Sequence, residues 1–351
     1  VSEFFFIYLN MNNFFRVAAF VLVLAAAVFV PFKAYPETSA PDKKPVNTEE
    51  YKTALNLWHI DTFEGGTGSR ADFLNDVITA REDDGIIVLV KTYTLSGMKA
   101  AFQKGEFPDM ISFGIGAGEV IKYARELPQK GFAGGEFGKK QYAVPWCAGG
   151  YYLIEKGEDN RLIDGFLNGN DPQKSENRGL IVSQGENTMP VVALKLSGVT
   201  AENVSYYPPT EAYVKFLGEQ NAVLAGTQRD LRRLEKRGIA FTAKPLHGYS
   251  DIVQYLSITA KSDEKYKYAL KIVDYILSED VQKKLYKISM MRADGGKTDG
   301  EFYGYDFSEN EYTASPFLFT ETIKQIQTAQ SGKIFGDNLP DNIKSCLKRL
   351  K

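Results

Sequence analysis

The stretch LNLWHIDTFEGGTGSRADFL, residues 55–74, combines the signals of a strand, a glycine loop and a helix start. Its apolar first third predicts a strand, and the three glycines after Phe63 permit a sharp turn. Ser69 is a favourable N-cap, because Asp72 follows three residues later and apolar residues then recur at helical spacing. The unbroken aliphatic run at residues 86–90 predicts a second strand, buried on both faces of a parallel sheet. Together these segments predict a βαβ unit and the α/β fold class.

The glycine loop lies at the carboxyl end of the first predicted strand, where open α/β sheets place their ligands. Backbone N–H groups there, with the polar side chains of Asp61, Glu64, Ser69 and Arg70, could hold a hydroxylated or anionic group. A turn that only connects strand to helix explains the same residues equally well. The loop is not a phosphate-binding P-loop, because it lacks the Gly-Lys-Ser/Thr ending.

The N-terminal part carries the signals of an exported protein. Arg16 precedes an apolar run at residues 17–30, which is shorter than the ~20 residues of a membrane span. Residues 1–35 are therefore predicted to be a signal peptide or an uncleaved N-terminal membrane anchor. The first methionine is Met11, so translation starts either there or at Val1. Residues 36–50 are rich in proline and polar residues, which predicts a flexible linker.

Composition excludes several classes of protein. The net charge of −2 provides no field for nucleic acid, and membrane contact is expected only through the N-terminal segment. Two histidines and two cysteines are too few for a metal or redox framework, so no metal and no cofactor are predicted. Cys147 and Cys346 either form one disulfide or remain unpaired thiols, and the second alternative is favoured.

Residues 221–230, NAVLAGTQRD, repeat the pattern of the opening stretch: a short strand, a glycine and a helix start. Thr227, Gln228 and Arg229 would therefore lie at a second ligand edge. The alternative is that Thr227 is only an N-cap and Asp230 its capping partner.

Five segments in a fixed order carry a resemblance to a known family. They are the strand of Trp58 with its loop, AFQKGEFPDMISFG at 101–114, QYAVPWCAGGYYLI at 141–154, FLGEQNAVLAGTQRD at 216–230 and ALKIVDYILSEDVQKKL at 269–285. Over residues 51–319 the chain resembles the extracellular solute-binding proteins of carbohydrate-type ABC importers, which are maltose-binding-like periplasmic binding proteins of type 2. The resemblance implies a two-lobed α/β fold of that type, with the ligand held in a cleft between the lobes.

The resemblance also implies an order of lobes along the chain. Residues 51–145 and 247–295 would form lobe 1, and residues 146–246 and 296–351 would form lobe 2. Pro145 and the glycine pair at 149–150 interrupt a strand-like segment, which is typical of a crossing between lobes.

The ligand-binding residues implied by the resemblance come from both lobes. They are Asp61, Glu64, Ser69, Phe113, Gly116, Trp146, Cys147, Thr227, Gln228 and Arg229. Phe113 and Trp146 are expected to stack on sugar faces, with polar neighbours binding the hydroxyl groups. Arg229 is expected to point toward the cleft and to bind ligand oxygens or an acidic group of the facing lobe. The alternative places Arg229 with the neighbouring arginines on the solvated side of its helix.

The expected function is binding without catalysis. An exported monomer would capture a small solute, a sugar or oligosaccharide above all, and deliver it to the permease subunits of an ABC transporter. It would work at the outer face of the cytoplasmic membrane, in a periplasmic or extracellular position. One alternative is a membrane-tethered sensor without a transport role. Another is an exported glycan hydrolase, with Asp61 and either Glu64 or Asp109 as its carboxylate pair.

Overall fold

The computed structural model describes residues 52–63, 66–81, 85–129, 132, 134–168, 179–294, 302–328, 334, 339 and 341–349. They all belong to the unit of the chain that begins at Tyr51. The predicted signal or anchor segment and the linker lie outside the described residues, and so does Glu64.

Strands and helices alternate along most of the described chain, as expected for an α/β protein. The strands are β1 (Thr53–Asp61), β2 (Ile86–Thr94), β3 (Met110–Phe113), β4 (Glu136–Phe137), β5 (Lys140–Gln141), β6 (Val144–Ala148), β7 (Tyr151–Lys156), β8 (Leu180–Ser183), β9 (Val204–Tyr207), β10 (Val223–Thr227), β11 (Phe241–Leu246), β12 (Tyr249–Ser250), β13 (Val253–Ile258), β14 (Tyr312–Ala314) and β15 (Leu347–Arg349). The helices are α1 (Arg70–Thr79), α2 (Leu95–Gln103), α3 (Arg161–Leu167), α4 (Pro190–Leu196), α5 (Pro209–Gly218), α6 (Gln228–Lys236), α7 (Asp263–Ile276), α8 (Glu279–Gln282), α9 (Thr320–Thr328) and α10 (Asp341–Lys344).

Most of the described strands belong to two five-stranded sheets. The first has the order β2-β1-β3-β13-β6, in which β1 is parallel to β2 and β3, and β13 is antiparallel to its neighbours. The second has the order β11-β7-β10-β8-β9, in which β8 is parallel to β10 and β9. The predicted βαβ unit is confirmed, since β1, α1 and β2 follow one another and the two strands pair in parallel.

The first sheet has a hydrophobic cluster on each face, because the side chains of β1 alternate between the two faces. Leu55 and Leu57 belong to a hydrophobic cluster that includes residues of α1 and α7, whereas Trp58 and Ile60 belong to a second cluster with residues of α2. The segment at 269–285, one of the five that carry the resemblance, buries apolar side chains of α7, which ends at Ile276.

The chain passes from the first sheet to the second at the glycine pair 149–150, between β6 and β7. A Cβ at Gly149 would lie 2.2 Å from Gln228 Nε2, and one at Gly150 would lie 2.3 Å from the ring of Tyr305. Glycine is therefore required at both positions for close packing. Pro145 lies within β6, where it is tolerated because β6 is an edge strand. The chain returns to the first sheet between β11 and β13.

Candidate functional site

A cavity of about 670 Å³ lies between the carboxyl ends of strands from the two sheets. Its first wall follows β1 and β2 and includes Asp61 and Lys99; its second wall follows β8 and includes Asn187. Residues at the start of α9, including Glu321, form a third wall. The volume falls within the range of roughly 300–1,000 Å³ that is typical of small-molecule sites.

Asp61 is the only described residue of the predicted set that lines this cavity. One of its carboxylate oxygens accepts hydrogen bonds from Arg70 Nη2 and, at 3.4 Å, from His59 Nε2. The bond from His59, together with the positive charge of Arg70, lowers the pKa of Asp61 to about 2. Asp61 is therefore an anion at any physiological pH.

Arg70, whose importance the sequence did not indicate, fixes the end of β1. It is buried, it donates to the Phe63 carbonyl at 2.8 Å, and its guanidinium carbon lies 4.3 Å from the centre of the Phe63 ring. The signal that could have identified it is an arginine at the first position of a helix that follows a glycine loop.

A buried polar cluster around Ser112 joins four strands of the first sheet, β1, β3, β6 and β13. Trp146 Nε1 and Gln254 Nε2 donate to Ser112 Oγ at 3.0 and 3.2 Å, so the hydroxyl proton is directed at His59 Nδ1, 3.1 Å away. This arrangement places the proton of the imidazole on Nε2, facing Asp61. Burial lowers the pKa of His59, which is consistent with a neutral ring. Ser112 is fully buried, so this serine, histidine and aspartate do not form an accessible nucleophilic site.

Phe113, Trp146 and Cys147 lie in the core and not on the cavity wall, since all three are fully buried. Trp146 stacks on Phe73 with ring centres 6.0 Å apart, and Phe113 packs against Phe317 at the same distance. Burial raises the pKa of the Cys147 thiol to about 12. Cys147 and Cys346 are not joined by a disulfide, which confirms the favoured alternative for the cysteines.

The described part of the glycine loop packs against the chain near Ile288. Thr67 N–H donates to the Ile288 carbonyl at 2.7 Å, and a Cβ at Gly66 would lie 2.3 Å from the same oxygen. Ser69 accepts from Asp72 N–H at 3.1 Å as the N-cap of α1. These contacts are those of a connecting turn.

Residues 227–230, which were predicted to form a second ligand edge, cap helix α6 and contact the crossing between the two sheets. Thr227 and Asp230 form the capping box of α6, as the alternative for these residues predicted. Gln228 Oε1 accepts from Gly150 N–H at 3.1 Å and therefore holds the crossing between the sheets. Burial lowers the pKa of Arg229, whereas the negative charges of Asp230 and Asp61 act in the opposite direction. Arg229 is therefore near enough to Asp61, at the end of β1, for the two charges to interact, and its place in the ligand site stays a prediction.

The loop after β8 and the helix α9 were not predicted as parts of the site. The only signal was a polar run, SQGENT at 183–188, that follows an apolar strand. In the structure these segments provide two of the three cavity walls. Lys324 Nζ lies 2.8 Å from Glu186 Oε1, and Lys99 Nζ lies 3.4 Å from Glu119 Oε1 and 3.7 Å from Glu321 Oε1. Both lysines of the cavity are therefore paired with carboxylates.

The carboxylate pair of the hydrolase alternative is not formed by Asp61 and Asp109. Asp109 precedes β3 and its N–H bonds to Asn56, whereas Asp61 ends the parallel strand β1. Five strand residues, or about 16 Å, separate these positions, which exceeds the ~5–10 Å that glycosidases require. Lys265 Nζ donates to Asp109 at 2.9 Å. Among the described residues, no cluster of histidine, cysteine and acidic side chains could hold a metal ion.

Comparison with known proteins identifies the fold. No protein-family model matches the chain, and no curated protein matches it in sequence. Among solved structures, the chain is similar to the sugar-binding protein MalE from Xanthomonas citri, with 12% identity over 80% of this chain and 93% of that one and a TM-score of 0.55. The GacH receptor of Streptomyces glaucescens matches with 14% identity, coverage of 80% and 94%, and a TM-score of 0.51.

A solute-binding protein of an ABC transporter from Thermotoga lettingae, bound with α-D-tagatose, matches with 16% identity, coverage of 79% and 93%, and a TM-score of 0.51. Because the sequence identities are this low, the structural matches show a shared fold and nothing more. The chain therefore has the two-lobed α/β fold of periplasmic binding proteins of type 2, as the resemblance implied.

Proposed function

We propose that this protein is an extracellular solute-binding protein that captures a small solute in its cavity and delivers it to an ABC transporter. The observation that carries the proposal is the position of the cavity, between the carboxyl ends of strands from two sheets. In open α/β sheets this edge is where ligands bind. The solute is a sugar or an oligosaccharide, by analogy with the solved structures of this fold whose names include sugars.

The two sheets are the cores of two lobes in this proposal. Lobe 1 comprises residues 51–145 and 247–295, and lobe 2 comprises residues 146–246 and 296–351; the pairing of β6 with β13 extends lobe 1 to Ala148. The glycine pair at 149–150 and the return segment before β13 act as a hinge.

Ligand contacts in this proposal come from the cavity walls. Asp61 stays among the ligand-binding residues because it is ionised and lines the cavity, and Arg229 stays because its charge interacts with that of Asp61. Glu64 remains a candidate of the same loop. Phe113, Trp146, Cys147 and Gln228 act from the core by supporting the strands and the crossing.

The protein acts outside the cytoplasmic membrane as a monomer, either released after cleavage or tethered by its N-terminal segment. Within the described part of the chain, no helix has the length and hydrophobicity needed to cross a membrane. The permease subunits of the importer are its protein partner. Genes for such permeases beside its own gene would support transport, and a histidine kinase gene there would support sensing.

A thermal-shift screen tests the proposal with monosaccharides, oligosaccharides, amino acids and polyamines. A ligand that binds only the folded state raises the unfolding midpoint by mass action. We expect at least one sugar to do so and to reduce the radius of gyration in small-angle X-ray scattering, because the lobes close around it. An unchanged radius of gyration with saturating ligand would show that the proposed hinge is wrong. If no solute raises the unfolding midpoint, the proposed binding role is wrong.

A further inference from the structure

The loop after β8 is held rigidly at both of its ends. Gly185 N–H donates to Thr188 Oγ1 at 2.8 Å, which closes the loop on itself. Gln327 Nε2 of α9 donates to the carbonyls of Gly185 and Thr188 at 2.9 and 2.8 Å. At its end, Met189 N–H donates to the buried carboxylate of Asp251 at 2.6 Å. A loop with this many bonds presents its central side chain in one orientation.

That central side chain is Asn187, which is 4% exposed and lines the cavity. Thr320 Oγ1 lies 3.1 Å from Asn187 Oδ1 and 3.2 Å from the Gly116 carbonyl, so the single hydroxyl proton is shared between these two acceptors. A Cβ at Gly116 would lie only 2.4 Å from the same Oδ1, so the absence of a side chain there makes room for the amide. The amide oxygen is therefore held away from the cavity, against residues of the facing wall.

The amide nitrogen of Asn187 has no hydrogen-bond acceptor among the described residues. Nδ2 is not among the fully buried side-chain atoms of these residues that lack a partner, so it is reached from the cavity, where a ligand oxygen can accept its hydrogen bond. The donor thus favours a ligand with an accessible oxygen atom in the cavity.

The charges of the cavity indicate which kind of ligand oxygen fits next to Asn187. Each lysine of the lining is within 4 Å of a protein carboxylate, Lys324 with Glu186 and Lys99 with Glu119. An anionic ligand would therefore meet no uncompensated lysine, and it would face the carboxylate of Asp61. A neutral hydroxyl group fits these charges better than a carboxylate or phosphate.

We infer that Asn187 is the specificity-determining residue of the cavity, whose Nδ2–H donates to a hydroxyl oxygen of a neutral polyhydroxylated solute. This inference rests on the proposed function. Gly116 and Thr320 are positioning residues in it, because they orient the amide without contacting the solute. The polar lining contains only one aromatic side chain, Phe63, so hydrogen bonds provide most of the recognition.

The test compares Asn187→Leu with Asn310→Leu. Asn310 is a matched control, because it is equally buried but its amide nitrogen is already bonded to Tyr305 Oη at 2.8 Å and to the Phe307 carbonyl at 3.0 Å. The probes are D-glucose, D-tagatose and maltotriose, with D-glucuronate as the anionic counterpart of glucose. Binding is measured by calorimetry, and folding by the unfolding midpoint without ligand.

We expect at least one neutral probe to bind the wild type and to bind Asn187→Leu roughly tenfold more weakly. Asn310→Leu is expected to keep the affinity and to lower the unfolding midpoint. If Asn187→Leu does not fold, Asn187→Ala replaces it, since it cannot overfill the wall, and the same loss is expected. D-glucuronate is expected to bind the wild type more weakly than D-glucose.

The outcomes separate this inference from the proposed function. Equal sugar affinity of the wild type and the Asn187 variants overturns the inference alone, and so does tighter binding of D-glucuronate than of D-glucose. If an amino acid or polyamine raises the midpoint and no sugar does, the inference fails and a solute-binding role stands. If no solute of either panel binds, both fail.

Discussion

The loops that follow β1 and β8 reach the same cavity from opposite sheets, yet they are built differently. The loop after β1 is rich in glycine, and its described glycine Gly66 packs against the Ile288 carbonyl. The loop after β8 has one glycine and no motif, and it presents Asn187 to the cavity. In this protein a glycine cluster marks close packing of the backbone, whereas the ligand-facing donor comes from a loop that hydrogen bonds hold in place.

Alanine substitutions at Gly66 and Gly116 are the strongest test of this difference. Both glycines have positive φ, +70° and +100°, and a Cβ at either would contact an oxygen atom at less than 2.5 Å. Each substitution is therefore expected to lower the free energy of unfolding by about 2–4 kcal/mol. Only Gly116→Ala is expected also to weaken sugar binding, because it displaces the Asn187 amide. Chemical denaturation and calorimetry measure the two effects.

Gly105→Ala is the control for these variants. Gly105 has a φ of +79° but nothing within 4 Å of the added Cβ, so its substitution reports backbone strain alone. The expected loss is about 1 kcal/mol. If Gly66→Ala weakens sugar binding as much as Gly116→Ala does, the loop after β1 is a direct part of the site and the contrast is wrong.

Asp251, whose carboxylate binds the end of the loop after β8, predicts an unusual pH dependence of the stability of the protein. Asp251 is fully buried and accepts hydrogen bonds from Met189 N–H and the Tyr151 and Tyr249 hydroxyl groups. Burial nevertheless raises the pKa of its carboxyl group to about 6. In the unfolded chain this pKa returns to about 4. The folded state therefore binds the proton more tightly, and the contribution of Asp251 to stability rises as the pH falls from about 6 to about 4.

Asp251→Asn cannot ionise and should lack this contribution. Between pH 7 and pH 4 we expect the difference in unfolding free energy to shift in favour of the wild type by roughly 2 kcal/mol. Urea denaturation of both proteins across this range measures the shift. A constant difference would show that the pKa of this carboxyl group is the same in the folded and unfolded states.

Arg229 tests the β1 side of the cavity. Arg229→Ala is expected to weaken sugar binding by about 1–2 kcal/mol with little change in the ligand-free midpoint, because the guanidinium interacts with the charge of Asp61 and its helix is capped independently. Arg237→Ala is the control, since Arg237 ends the same helix and lies over the Tyr213 ring. Equal effects of the two substitutions on affinity would place Arg229 outside the site.

The smallest effect concerns the thiol groups. Cys147 and Cys346 are buried and form no disulfide, and the pKa of Cys147 is raised to about 12. Neither thiol is expected to react with a thiol-specific reagent at neutral pH until the protein unfolds. The number of reactive thiols is measured before and after adding denaturant. Rapid labelling of Cys147 in the folded protein would show that the region behind the β1 wall opens.

Much of the fold could be predicted because its signals are local. The strand, turn and N-cap of residues 55–74 and the strand at 86–90 depend on the periodicity of neighbouring residues. The expected burial of residues 86–90 on both faces was wrong, because β2 is an edge strand and Leu89 is 49% exposed. The capping pair Thr227 and Asp230 was likewise recognisable from spacing. The order of five segments then identified the two-lobed fold, which the solved structures confirm.

The candidate site was only partly predictable. Asp61 was predicted because it ends the first strand, and it lines the cavity. Arg229 was predicted because it begins a helix of the other sheet, and its role stays a prediction. Trp146 was expected to stack on sugar, but a tryptophan is equally suited to a core. Its indole N–H donates to Ser112 Oγ in the core. The two residues are far apart in the sequence, so the sequence alone does not show this contact.

By itself, then, the sequence determined which segments form strands and helices, where the chain crosses between sheets and which fold results, because these depend on local periodicity and on glycine and proline. Tertiary structure alone decided which polar groups are paired and which donor faces the cavity. Asn187, Gly116 and Thr320 come from three distant parts of the chain, and only packing brings an amide oxygen to 3.1 Å from a hydroxyl group. Hydrogen bonding between distant segments leaves no periodic trace in a single sequence, so it becomes visible only when the chain is folded.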